Sequence, residues 1–331
     1  MVTLIAIEEH WTDRSIDLAL ERLPPLRADP SLALNAWAGI GARLGNTGEE
    51  RMAAMESQGI AMQVLSLAPP ATHPLSPADA LPLARDANDR AAALVASRPD
   101  RFAALATLPM ADPRAVATEL ERAHRIGLVG AMVYGRAGDR PLDDPAFDDL
   151  YAVAEQRRLP IFIHPQIPAS VLRAEAYSGF GPAAELALAT YAWGWHIDAG
   201  TAALRLMAAG ALDRHPGLQL VLGHWGELLL FWHERADGLA RAAHLERSVT
   251  EYLRENVWIT ASGMLDPAML RHALDITTPE RILFSTDYPF QQPTAREIEE
   301  FLRHLPDDGA REAFAHTNAE ILFALPAPAT A

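Results

Sequence analysis

Leu4-Ile5-Ala6-Ile7-Glu8-Glu9-His10 places four apolar residues directly before two carboxylates and an imidazole. A short continuous apolar run that stops at polar residues reads as a strand buried on both faces. The pattern returns along the chain, predicting strands near Gln63–Leu67, Phe102–Ala106, Gly130–Tyr134, Pro160–Ile163, Gln219–Leu222, Val257–Thr260 and Arg281–Phe284. Helical patterns separate most of them, over Glu49–Gln58, Ala78–Ser97, Pro113–Arg125, Pro145–Gln156, Ala199–Arg214, Gly226–Ala240 and Pro267–Leu274. Two more follow the last strand, at Ala295–His304 and Gly309–Phe323. Strands alternating with helices imply parallel strands joined by right-handed crossovers. Eight such units fit a closed (β/α)8 TIM barrel better than an open sheet.

A chain of 331 residues suits one barrel domain, here residues 1–324, with a Pro- and Ala-rich tail at 325–331 expected to fray. Between Trp11 and Gly48 the sequence shows prolines, glycines and little helical periodicity. It reads as a long loop after the first strand, placed over the barrel mouth as a lid or an oligomer contact. Half of the residues are hydrophobic and 21% are charged, a globular mix. The formal charge of -15 argues against nucleic acid and anionic membranes, both of which select cationic surfaces. The absence of cysteine removes disulfides, thiolate metal sites and thiol nucleophiles. With neither a basic, apolar leader nor a membrane-length apolar run, the expected setting is the cytoplasm.

Catalytic groups of such barrels sit where strands end. Glu8 and His10 are two apart and project to the same side of an extended chain, which turns Glu9 away. His164 directly follows the fifth strand, His224 lies just past the sixth, and Asp287 ends the run Arg281-Ile282-Leu283-Phe284-Ser285-Thr286. Carboxylates and imidazoles together suit Zn, Mn and other first-row divalent ions, and two carboxylates neutralise the ion's charge. A single strand-end histidine is ordinarily structural; five such residues on four strands point to a metal centre. Trp11 and Phe290 stand where they could pack against an aromatic ring or equally fill the barrel rim, and Arg235 could form a structural ion pair with Glu234 or Asp237 or else contact a substrate or subunit. The remaining histidines, including His124, His215, His244 and His304, read as surface groups on helices or turns.

The runs Ile7-Glu8-Glu9-His10, Arg98-Pro99-Asp100-Arg101-Phe102, Ile163-His164-Pro165, Leu222-Gly223-His224-Trp225-Gly226-Glu227 and Ser285-Thr286-Asp287-Tyr288-Pro289-Phe290 carry a family likeness in their order and spacing. The chain resembles the amidohydrolase-related (ACMSD-like) decarboxylases, which include the γ-resorcylate, 2,3-dihydroxybenzoate and 5-carboxyvanillate enzymes. That resemblance implies an amidohydrolase-type barrel assembled as a homodimer or homotetramer. It implies a metal-dependent, non-oxidative carboxy-lyase acting on a hydroxylated aromatic or related unsaturated carboxylic acid. One divalent ion, Zn or Mn, would be held by Glu8, His10, His164 and Asp287, with no organic cofactor. His224 is then the acid/base oriented by Glu227, and the proton reaches the substrate from Asp287 or, as the second choice, from His224.

Three departures bear on the substrate. The family's Ser-Gly-Asn after the seventh strand is Ser262-Gly263-Met264 here, and its His-Pro-Arg after the fifth is His164-Pro165-Gln166. Residues 12–48 also diverge from the corresponding loop of the γ-resorcylate enzymes. The pocket is therefore expected to be less polar and less cationic. A metal-dependent hydrolase, such as a lactonase or amidase, is the alternative reading, because one fold hosts both chemistries.

Overall fold

Each apolar run forms a buried parallel strand, and their order around the sheet follows the order of the chain. The computed structural model describes residues 2–24 and 27–325. Its strands are β1 (Ile5–Trp11), β2 (Met62–Leu67), β3 (Phe102–Ala104, resuming at Ala106–Thr107), β4 (Ala131–Tyr134), β5 (Ile161–His164), β6 (Leu220–Leu222), β7 (Val257–Thr260) and β8 (Ile282–Leu283). The first half of β3 pairs with β2 and the second half with β4, so the break at Leu105 passes the chain from one neighbour to the other. From β4 the parallel pairing continues through β5, β6 and β7 to β8. The ring closes where the amide of Ile7 donates to Phe284 O (3.2 Å) and that of His10 to Tyr288 O (2.7 Å). This is the TIM barrel anticipated from the alternation of strands and helices.

Strand side chains are buried almost without exception, as barrel interior and helix-covered exterior both require. One hydrophobic cluster runs from Leu4 and Ile5 through the strands to Phe314 and Phe323. The helices Glu49–Gln58 and Pro113–Arg125 coincide with their predicted spans. The region from Gly309 to Phe323 is three consecutive helical pieces, of which Ala313–Thr317 is a π-turn. The tail expected to fray lies outside the described residues from position 326 onward. Among the described residues no helix is long and apolar enough to cross a membrane.

The reading of residues 11–48 as unstructured needs correction. They contain helices Arg14–Glu21 and Ile40–Gly45 and a 3₁₀ turn at Pro30–Ala36. Asp13 caps the first by accepting from the amides of Ser15 (2.8 Å) and Ile16 (3.3 Å). Pro30 starts its turn instead of breaking it, with Asp29 capping Ser31. Proline at a first turn loses no hydrogen bond, which is why composition alone misled. Elements too short for periodicity to reveal were also missed, including Ser170–Ala176, Pro182–Ala189 and Val249–Glu255.

The description of the remaining histidines as surface groups also fails in part. His215 is buried against Asp148 and Glu155. His73, which had no assigned role, is buried edge-to-face on Tyr134 at 4.7 Å, with Nδ1 3.0 Å from Arg136 O and Nε2 unpartnered. Burial, aided by the Arg136 charge, lowers its pKa to about 4. The unfolded chain binds this proton near the ordinary value of 6.5 and the folded chain only near 4. Stability is therefore lost as pH falls through that window, by about 3 kcal/mol from this group. In urea titrations between pH 7 and 4, His73→Gln should lose that much less stability than the parent; parallel pH curves would show the assignment to be wrong.

Candidate active site

β1 delivers Glu8 and His10 to one side, β5 ends in His164, and the turn after β8 supplies Asp287 in a left-handed conformation (φ 60°). One donor atom from each of these four residues lies within 4.8 Å of the others. Thr260 donates a hydrogen bond to Glu8 Oε2 at 2.7 Å, and Ser262 donates to the same oxygen. Glu8 Oε1 is buried with no hydrogen-bond partner and stands 3.7 Å from His164 Nε2. His10 Nε2 is likewise unpartnered: Asp287 Oδ1 is 3.2 Å away, but the two are not aligned as a hydrogen bond. Lone pairs that converge without bonding one another are what ligands of a common cation present. The set fits a divalent ion of the Zn or Mn class.

The surroundings fix the ligating atoms. His164 Nδ1 donates to Pro165 O at 2.9 Å and His10 Nδ1 meets Ser66 Oγ at 3.1 Å, leaving both Nε2 atoms toward the centre. Burial, then the nearby His10 and His224, push the His164 pKa well below its ordinary value, which keeps its imidazole neutral and able to coordinate. Burial pushes Glu8 above the carboxylate range against the pull of His224 and His10; a bound cation would act in the same direction as those imidazoles. Glu9 points the other way, accepting from Thr286 N (2.8 Å), Thr286 Oγ1 (2.7 Å) and Gln63 Nε2 (3.0 Å). Fully buried Arg51 completes this backing, donating to Gln63 Oε1 (3.2 Å) and to the carbonyl of His10 (2.5 Å).

After β6 the backbone makes an uncommon turn. His224, Trp225, Gly226, Glu227 and Leu228 all have positive φ, between 47° and 83°. The structure thus corrects the predicted helix from Gly226: the right-handed helix begins at Leu229. A left-handed turn costs roughly 1–2 kcal/mol per residue that carries a Cβ, so its surroundings must hold it. The amide of His224 donates to Ser262 Oγ (2.8 Å) and the indole of Trp225 to Met264 O (2.8 Å). The turn brings residues three apart face to face, and His224 Nδ1 donates to Glu227 Oε1 at 2.9 Å.

Glu227 has a second partner that the strand-end search overlooked. His196, near the start of helix Gly194–Ala208, donates from Nδ1 to Glu227 Oε2 at 2.8 Å, and its ring lies 4.5 Å from that of His224. A carboxylate only accepts, so Nδ1 carries a proton, while Nε2 lies 3.0 Å from both the Trp195 indole nitrogen and the Tyr191 carbonyl oxygen. Burial acts to raise the Glu227 pKa, but His224 and His196 outweigh it and hold the carboxylate below its ordinary range. For His224 burial acts downward, whereas Glu227, Glu8 and Asp287 drive the pKa up to about 10. A dication beside Glu8 and Asp287 would oppose that rise.

These groups open into a cavity of about 520 Å³. Phe290 lines it, 5.8 Å from the His10 ring. The structure does not bring Trp11 or Arg235 there: Trp11 is buried in the barrel core, and Arg235 is exposed on helix Leu229–Ala243 without an ion pair among the described residues. Met264 lines the cavity, whereas Gln166 is buried and accepts from the Arg136 amide at 3.2 Å.

The family model described as amidohydrolase matches residues 17–325. Decarboxylase orsB of Emericella nidulans is 35% identical over 333 residues, covering 96% of each chain. The crystal structure of 5-carboxyvanillate decarboxylase LigW from Sphingomonas paucimobilis matches with a TM-score of 0.89 at 31% identity, over 98% of this chain and 100% of that one. Dihydroxybenzoic acid decarboxylase from Polaromonas sp. JS666, solved with manganese and the inhibitor 2-nitroresorcinol, matches at 0.84 and 30% over 98% of both chains.

The left-handed turn has little room to move. A Cβ on Gly200 would lie 2.6 Å from the carbonyl oxygen of Glu227. Gly200→Ala should therefore destabilise the protein by about 1–3 kcal/mol, the usual cost of overpacking. Chemical denaturation measures this; a loss under half a kilocalorie would mean that the helix and turn are not in tight contact.

Proposed function

We propose, on the premise that this chain belongs to the amidohydrolase family, that it is a metal-dependent, non-oxidative decarboxylase of a hydroxylated aromatic carboxylic acid. The observation that carries the proposal is the pair of buried, unpartnered donors, Glu8 Oε1 and His10 Nε2, converging with His164 and Asp287. Near full-length similarity to decarboxylases supports a carboxy-lyase over the hydrolase alternative. The manganese and the hydroxylated aromatic inhibitor of the Polaromonas enzyme support both the ion and the substrate class.

Glu8, His10, His164 and Asp287 would hold the ion, Mn or Zn. When bound, it supplies a positive charge that orients the substrate carboxylate and an ortho phenolic oxygen. Direct loss of CO2 from an aromatic ring would leave an unstable aryl anion. Protonation of the carboxylate-bearing carbon comes first, with electrons from the ortho oxygen, and CO2 then departs as the ring regains aromaticity. Asp287 carries the proton to that carbon. His224, tied through Nδ1 to Glu227, resupplies Asp287 from Nε2. His196 acts through Glu227 as a positioning residue, its Nε2 being engaged by Trp195. Leu34, Trp37 and Ile40, from the segment after β1, form part of the cover of the cavity. Exposed Val171, Phe180 and Trp232 support assembly into a homodimer or homotetramer.

CO2 release from a panel of ortho-hydroxybenzoates by Mn-loaded protein tests the reaction; turnover of lactones or amides without any CO2 would reverse the assignment. His10→Ala should abolish stoichiometric metal in elemental analysis. His224→Asn should retain the ion yet lower kcat on the order of 10²–10⁴-fold; loss of metal from this variant would make His224 a ligand instead. His196→Leu is expected to cost about 10–100-fold in kcat with KM and metal content little changed. An unaltered kcat would remove His196 from the machinery.

A further inference from the structure

Most of the cavity's polar groups belong to the cluster already described: His164, His196, His224, Glu227, Ser262 and Asp287. Apart from indoles, the Gln291 amide and the Tyr191 phenol, whose ring packs on Trp37 at 5.7 Å, are the other hydrogen-bonding side chains on its wall. The remainder is apolar and comes from separate parts of the fold: Leu34, Trp37 and Ile40 after β1, Trp193 before helix Gly194–Ala208, Met264 after β7 and Met269 beyond it. No arginine lines the cavity, and the chain contains no lysine. Arg136, beside Gln166, is neutralised by Asp198 at 3.0 and 3.1 Å and donates to Ile167 O at 2.6 Å. A volume near 520 Å³ falls in the range that encloses drug-sized molecules and exceeds the needs of one hydroxylated ring.

Away from Gln291 and Tyr191, ring hydroxyls or a second carboxylate would lose water against this wall without finding a partner. The wall gains from hydrocarbon. We infer that the preferred acid carries an extended apolar substituent, alkyl or aryl, on the part of its ring remote from the metal-binding carboxylate, and that Met264 and Trp37 select for it. The inference rests on the reaction proposed above, with the cavity adding the substrate class.

Binding of resorcinols, which decarboxylation of 2,4- or 2,6-dihydroxybenzoates would yield, tests this without turnover. Calorimetry on Mn-loaded protein would compare 4-alkyl and 5-alkyl series from methyl to pentyl. In at least one series, Kd should fall about threefold to fourfold per methylene, the gain from burying that group. Met264→Asn should reduce the pentyl-to-methyl affinity ratio by tenfold or more, with metal content checked in parallel. Affinities that are flat or weaken with chain length in both series overturn the inference, as does a ratio untouched by both Met264→Asn and Trp37→Ala. CO2 release from the unsubstituted acid together with a flat series would sink this inference and leave the reaction standing. A steep series with no CO2 from any acid, substituted or not, would sink the reaction and retain the apolar subsite.

Discussion

Two carboxylates and two imidazoles converge at the mouth of this barrel, and their mutual electrostatics constrain everything around them. Glu8 is wholly buried, Asp287 nearly so, and removing such charges from water is costly unless something compensates. Hydroxyls of Thr260 and Ser262 satisfy one oxygen of Glu8. The other faces the cluster unsatisfied, as does His10 Nε2. Neutral imidazoles cannot offset two negative charges, whereas a dication can. The arrangement therefore makes physical sense as a coordination shell, and the hydroxyl collar, the Pro165 carbonyl and the Glu9–Arg51 backing serve to aim it.

The second layer follows a different logic. A right-handed helix starting directly after β6 would be the less strained continuation. The chain instead makes five left-handed residues, and the outcome is a carboxylate, Glu227, gripped on each oxygen by a different histidine. Backbone strain is here exchanged for side-chain order. Gly200 and Gly223 permit it: a Cβ at the latter would stand 3.0 Å from both Glu8 Oε1 and Ser262 Oγ. The Glu8–His10–His164–Asp287 cluster and the His224–Glu227 pair are thus in direct packing contact and share Ser262, which donates to Glu8 and accepts from the His224 amide.

The strands were legible because burial on both faces leaves runs such as Leu220-Val221-Leu222 and Val257-Trp258-Ile259 without polar interruption. The side chains that end them were legible for the same reason, as polar residues where hydrophobicity stops. His196 follows no strand. It sits in Trp193-Gly194-Trp195-His196, whose meaning depends on a helix approaching the left-handed turn, a contact between distant parts of the chain. Trp11 misled in the opposite way: it directly follows His10, but the strand continues through it and carries its side chain into the core. Arg14–Glu21 and Pro30–Ala36 are started by caps at Asp13 and Asp29, and local hydrogen bonds of that kind leave no periodic trace.

The opposite facing of Glu8 and Glu9 has a consequence for how the ion comes and goes. In small zinc modules the coordination bonds are themselves the source of folding free energy, and the empty chain is disordered. Here β1 is tethered from behind by Thr286, Gln63 and Arg51, none of which belongs to the ligand set. Its backbone is also paired on one side with β2 and bonded on the other to Phe284 and Tyr288. Glu8 and His10 are thus held in place by contacts outside the cluster, which leaves more of the free energy of coordination to appear as affinity. Exchange of one divalent ion for another is then a local event at a finished socket, governed by which ions the surroundings supply.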